Sequence, residues 1–236
     1  MGGGGHAQEI IRLGGLVLGI DQDPESLSAC PDLDGLTKVR SNFIHLKDVA
    51  RAHGFYPCSG VLFDLGVSSH QIDTPKRGFS FQREGPLDMR MDPGLTVSAL
   101  DLVNTLPVSE LAHIFKVFGE IKDSGYLAKK IEANRPFHTT LDLSRLTRDH
   151  SRKAFQALRI AVNDELGSLQ IALPQAVDCL KPGGRLVVIS FHSLEDRIVK
   201  EFMGSSQIEG PILPSAKDLA ANPRSKSAKL RVYKKL

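Results

Sequence analysis

The chain has 236 residues, 41% of them hydrophobic and 24% charged, a composition that suits one globular domain or one domain with a sizeable insertion. Lys and Arg exceed Asp and Glu by 30 to 27, a net charge of +3 that permits an anionic partner without demanding one. No apolar run approaches the roughly 20 residues that span a bilayer. Three scattered cysteines, Cys30, Cys58 and Cys179, exclude a disulfide scaffold and a cysteine-based zinc or iron–sulfur site and suit a reducing compartment.

Met1 is followed by Gly2 to Gly5 and His6, without the basic and apolar stretches of a secretory signal. Residues 7–13 predict two turns of helix stopped by Gly14-Gly15. Residues 16–20 form a continuous apolar run ending in Asp21, the pattern of a buried strand in a parallel sheet. Asp23-Pro24-Glu25 opens a helix. A third short strand is expected at 39–43, a helix at 46–53, and another buried strand at 61–63 that ends in Asp64. Strands alternating with short helices predict an α/β fold with a parallel sheet.

The alternation stops at 68–93, a polar stretch rich in Gly and Pro and longer than an ordinary loop. Residues 96–152 are helical in pattern, broken at Pro107, Gly119 and Gly125. From Lys153 the α/β pattern resumes with a long helix, a turn at 181–184, a buried strand at 186–189 and a helix at 194–202. The expected organisation is a core at 1–92 and 153–236, interrupted by a helical insertion at 93–152. The end carries Arg224, Lys226, Lys229, Arg231, Lys234 and Lys235 without an acid. That tail suits an RNA contact, or a packed strand with Leu230 and Val232 on one side.

Three strand ends carry the chemistry. Glycines before a helix let backbone approach a ligand, and the helix start offers N–H donors. Asp21, after the following strand, suits ribose hydroxyls, with Asp23 as the next candidate. Asp64-Leu-Gly-Val-Ser-Ser follows a buried strand at the carboxyl end, where ligands of open α/β sheets bind. Ser190-Phe-His-Ser-Leu-Glu-Asp-Arg197 follows the last apolar strand, and its residues either serve that site or cap the next helix. The loop with Lys76, Arg77, Phe79 and Phe81 suits a nucleotide, cation to phosphate and ring to base, or anchors itself to the body.

At these residues the sequence resembles the ribosomal small-subunit RNA (cytosine-N(4)-)methyltransferases of the MraW/RsmH type. The strings that carry it are Gly-Gly-Gly-Gly-His6, Gly19-Ile-Asp-Gln-Asp-Pro24, Asp64-Leu-Gly-Val-Ser-Ser69, Arg77-Gly-Phe-Ser-Phe81, Gly85 to Pro93, Phe155 to Asn163, Ser190 to Arg197 and Asn222 to Arg231, in family order across nearly the whole chain. The resemblance implies a class I (Rossmann-like) methyltransferase sheet with a helical substrate-recognition insertion. S-adenosylmethionine is the implied cofactor, and a cytidine amine of 16S-type ribosomal RNA the implied substrate, free or in an assembled small subunit. It implies cofactor contacts from Gly4, Gly5, His6, Asp21, Phe43, Asp64 and Gln71, with Phe43 beside the adenine. The expected catalytic groups are Asp64, helped by His192 or Ser193; no metal is expected. The family carries one more strand and a helical lead-in before the glycine loop, so an upstream stretch of coding sequence is expected, and it has extra residues near 146–151.

A cytoplasmic protein is expected, without a membrane partner and with the oligomeric state open, a homodimer included. Two other classes compete. A nicotinamide-dependent oxidoreductase shares the glycine loop and Asp21 but leaves the Asp64 and Ser190 strings unused. A non-catalytic RNA-binding or ribosome-assembly protein would bind RNA without the cofactor.

Overall fold

A computed structural model describes residues 1–204 and 208–236. The chain divides into two compact units, one built from Met1–Gly66 and Leu166–Leu236, the other from Val67–Glu165.

The first unit is α/β. Helix α1 (Gly5–Arg12) leads into strand β1 (Val17–Asp21), helix α2 (Pro24–Ala29), strand β2 (Leu36–Arg40), helix α3 (Leu46–Ala52) and strand β3 (Cys58–Asp64). β1 and β2 pair in parallel, Val17 opposite Leu36. β2 lies earlier than the expected 39–43. Asn42 accepts a hydrogen bond from the N–H of Ile44 and starts a 3-10 turn at Phe43–His45, which takes Phe43 out of the strand.

The second unit contains α4 (Ser69–Asp73), α5 (Ala99–Thr105), α6 (Val108–Val117), α7 (Ser124–Glu132), α8 (Thr140–Thr147) and α9 (Ser151–Asn163). It is wider than the expected insertion because the preceding loop packs into its core. Phe79, Leu87, Met89 and Met91 are buried with Leu111, Phe115, Leu143 and Leu158. Asn163 fastens the same loop: its carbonyl accepts from the N–H of Met91 at 2.7 Å, and its amide donates to the carbonyl of Met89 at 2.8 Å. Arg77 is also internal, donating to the carbonyls of Arg90 and Met91. Arg77 and Phe79 therefore anchor the loop, and the expectation of a nucleotide contact at this pair gives way to the packing alternative.

The first unit resumes with α10 (Glu165–Cys179), β4 (Leu180–Ser190), α11 (Ser193–Met203), β5 (Ile208–Ile212), α12 (Ala216–Ala221) and β6 (Lys229–Lys234). β3, β4, β6 and β5 form a sheet in that order. β3 and β4 are parallel, with Asp64 opposite Ile189, and β6 runs antiparallel to β4. Leu169, Leu173, Leu186, Val188 and Val199 form the core beside Phe63.

β6 corrects the reading of the basic tail. Lys229, Arg231, Lys234 and Lys235 belong to a strand inside the sheet and its immediate end. Arg231 is buried and donates to Asp196. Lys235 Nζ donates to the carbonyls of Val177 and Leu180 at 2.9 and 2.7 Å. Lys229 also donates to Asp196 at 2.9 Å, and Tyr233 packs against the core, while Lys234 stays exposed.

Candidate active site

The first wall is the start of α1. Gly4 holds φ +77°, the left-handed region, and a Cβ there would collide with the Sγ of Cys30. Ala or any larger residue is therefore excluded both by backbone and by space. No atom lies within 4 Å of a Cβ placed on Gly3 or Gly5, so the backbone faces open space on either side of Gly4. The first N–H groups of a helix have no acceptor within it. Here they belong to Gly5, His6 and Ala7, and they form a donor surface suited to a carboxylate or another anion.

Asp21 ends β1. Its carboxylate accepts from the N–H of Asp23 at 2.9 Å and from the Met1 ammonium at 2.7 Å. Asp23 itself is wholly buried and caps α2 through the N–H of Glu25. Of the two candidates for a hydroxyl acceptor, Asp21 is the one with access to solvent, and Asp23 is committed to the helix.

Asp64 ends β3 with its side chain about half exposed, 46%. His6 Nε2 lies 3.6 Å from its Oδ2, so the glycine end of α1 and the end of β3 meet at this pair. The contact with Asp64 raises the His6 pKa above the ordinary histidine value, against the opposing effect of partial burial. The ring of Phe43 is half-buried with its centroid 5.7 Å from that of Phe63, the residue before Asp64. It is the apolar element of this end of the unit.

β4 brings its own end beside Asp64, since the N–H of Leu65 donates to the carbonyl of Ile189 at 3.0 Å. The string that follows builds a helix start. Glu195 is buried and accepts from the N–H groups of Phe191 and His192, at 2.8 and 3.3 Å. His192 Nδ1 accepts from the N–H of Glu195 at 3.4 Å, which makes His192 the N-cap of α11. Its Nε2 is buried 3.2 Å from Glu195 Oε1 without a well-directed hydrogen bond. Ser193 is the first residue of α11.

Gln71 belongs to the helical unit. There it completes a capping box, its side chain accepting from the N–H of Ser68 at 2.9 Å. The structure thus gathers Gly4, Gly5, His6, Asp21, Phe43, Asp64, His192 and Ser193 in the α/β unit, with Gln71 in the other. Two partnerships had no signal in the sequence. Cys30 closes over Gly4, and His6 meets Asp64, in each case between residues far apart in the chain. Among the described residues no group of three His, Cys, Asp or Glu is placed to hold a metal ion.

The donor set suits a small ligand that carries a carboxylate, vicinal hydroxyls and a cation. The α1 start supplies N–H groups, Asp21 an acceptor, and Asp64 a half-exposed carboxylate beside His6.

Comparison with known proteins agrees. Residues 1–210 match the MraW methylase family. The whole chain aligns at 41% identity with 90% of a protein named ribosomal RNA small subunit methyltransferase H from Carboxydothermus hydrogenoformans. Proteins of the same name from a Paenibacillus species and from Thermomicrobium roseum align with the whole chain at 40% and 41% identity, over 91% and 86% of their lengths. The chain belongs to the MraW methylase family, the S-adenosylmethionine-dependent methyltransferases of class I fold.

Proposed function

We propose that the protein methylates the exocyclic N4 amine of a cytidine in small-subunit ribosomal RNA. The observation that carries this reading is Asp64: a half-exposed carboxylate at the carboxyl end of β3, 3.6 Å from His6 at the start of α1. The names of the relatives, ribosomal RNA small subunit methyltransferase H, support the substrate class. Family membership favours an enzyme over a non-catalytic RNA-binding protein.

S-adenosylmethionine supplies a methyl group already activated on a sulfonium. What remains for the chain is to bind, orient and manage a proton. The amine of cytosine is a poor nucleophile because its lone pair is delocalised into the ring. Asp64 accepts a hydrogen bond from one of its N–H groups, which turns the lone pair out of conjugation, and takes the proton that the amine loses. His192 and Ser193, at the neighbouring strand end, are the next polar groups in reach of the same amine. The α1 start with Gly4, Gly5 and His6 takes the amino-acid end of the cofactor, Asp21 its ribose and Phe43 its adenine. The base leaves its stack to be reached, and the helical unit holds the surrounding RNA. The reaction takes place in the cytoplasm, on the RNA or on the assembled small subunit.

The test uses small subunits that lack the modification, incubated with the purified protein and isotopically labelled S-adenosylmethionine. The RNA is then digested and its nucleosides separated by mass. Label in N4-methylcytidine, lost with Asp64→Ala in a protein that still binds the cofactor, is the expected result. Label in another nucleoside, or undiminished transfer by the variant, overturns the reading.

A further inference from the structure

We infer that the helical unit carries a separate cleft for one unpaired RNA nucleotide, between α7 and the turn after α8. The inference rests on RNA being the substrate. The cleft measures about 180 Å³ and is bordered by Tyr126 of α7 and by residues 147–150. That is about six times the volume share of a water molecule. It is below the ~300 Å³ at which pockets for drug-sized ligands begin. A single planar ring is the size of group it admits.

Tyr126 is 69% exposed, whereas its neighbours Leu127, Ala128 and Ile131 are buried in the core. The packing of α7 therefore does not need the tyrosine. Its ring borders the cleft as a stacking face, the feature by which single-stranded RNA is held. Across from it stands Arg148, exposed, at φ +47° and ψ −113°, a strained conformation for a residue with a side chain. Two buried hydroxyls hold that turn: Ser151 Oγ donates to the carbonyl of Arg148 at 2.6 Å and lies 2.8 Å from Thr147 Oγ1. The strain is maintained by surrounding bonds, as in turns built for function.

Arg148 has no carboxylate at ion-pair distance among the described residues and is free for a phosphate. Asp123 stands at the N-cap of α7 without capping it and instead lies 3.3 Å from His150 Nε2. Its second oxygen can accept from the amine edge of a base. Residues 116–153 hold nine Lys and Arg against five Asp and Glu. That is a local excess of cations beside the cleft.

The test measures fluorescence anisotropy of a short labelled single-stranded RNA with the full chain, without cofactor, and methyl transfer in parallel. Tyr126→Ala should weaken single-strand binding about 5- to 150-fold, the loss of one base stack. Tyr126→Phe keeps the ring and should keep the affinity. Arg148→Gln should flatten the salt dependence by about 0.7 in the log–log slope. Unchanged affinity in Tyr126→Ala, or equal losses in Tyr126→Ala and Tyr126→Phe, overturns the inference. A wild type that methylates no RNA, yet depends on Tyr126 for single-strand binding, removes the proposed reaction and keeps the cleft. A wild type that methylates normally, with Tyr126→Ala unchanged in both affinity and KM, keeps the reaction and removes the cleft.

Discussion

Arg231 and Asp196 form a buried ion pair, with Nε 2.7 Å from Oδ1, that ties β6 to α11. Lys229 adds a second contact to the same carboxylate at 2.9 Å. Burial by itself pushes the Asp196 carboxyl up, but the hydrogen bonds from Arg231 and Lys229 outweigh it and hold the group below the ordinary aspartate value. A carboxyl depressed by folding stabilises the fold above its unfolded pKa of about 3.9. That contribution is lost as pH falls through the folded value. Arg231→Met should destabilise the fold in urea unfolding, by less than the ~3–5 kcal/mol of a fully unpaired buried charge, because Lys229 still contacts Asp196. The variant should also lose part of the acid-side decline in stability seen in the parent.

The position of β6 between β4 and β5 makes a second prediction. A stop codon at Lys229 removes the antiparallel partner of β4 and exposes the apolar side chains that β6 covers. The shortened protein should be recovered unfolded or aggregated, and circular dichroism with size-exclusion chromatography reads this directly. A folded, cofactor-binding product with weakened RNA affinity would return the tail to an RNA-contacting role.

Asp64 should set the titration of His6. His6 is raised by Asp64, so in Asp64→Asn its NMR titration should move down toward the ordinary value of about 6.5. The sign for stability is that of a raised histidine. The pair contributes below the unfolded pKa, and the contribution disappears as pH rises through the folded one. With both groups about half exposed, the energy at stake is about 0–1 kcal/mol, and the effect belongs mainly to the site.

Asp21→Ala should weaken S-adenosylmethionine binding by about 1–3 kcal/mol in calorimetric titration, the cost typical of an unsatisfied polar partner. The melting temperature of the free protein should fall as well, since the Met1 ammonium and the N–H of Asp23 lose their acceptor. An unchanged affinity would place the ribose acceptor elsewhere than at the end of β1.

Asn163→Leu should leave the N–H of Met91 and the carbonyl of Met89 buried without their partner. Each such group costs about 1–3 kcal/mol, and thermal unfolding measures the sum. Proteolysis within 68–92 should accelerate in the same variant, since Asn163 joins this loop to α9 by two hydrogen bonds.

The strand ends were legible because their signal is local. An apolar run closed by a carboxylate places Asp21 and Asp64 without any knowledge of tertiary contacts. The loop at 68–92 was not legible in the same way. Its anchors Leu87, Met89 and Met91 alternate with Asp88, Arg90 and Asp92 as a strand would, yet no strand forms there, and Arg77 reads as a surface cation until its carbonyl partners are seen. The tail carried two conflicting patterns, six cations and an alternating Leu230–Val232 pair, and the strand pattern prevailed because Asp196 was waiting in α11. The Ser190 string read equally as site or helix cap. The structure gives His192 and Glu195 the capping geometry, and leaves the chemistry of this strand end to the experiment on transfer.

β6 also sets a limit on how the protein can be made. Until residue 234 has emerged from the ribosome, β4 has β3 on one side and an unpaired row of N–H and C=O groups on the other. Such an edge is a template for another strand. The helical unit, complete by residue 165, can settle while synthesis continues, but the α/β unit must keep the β4 edge open from residue 190 until β6 is made, about the last forty-five residues of translation. Rapid overexpression should therefore trap this chain through β4, and slowing synthesis or lowering temperature should favour the soluble form.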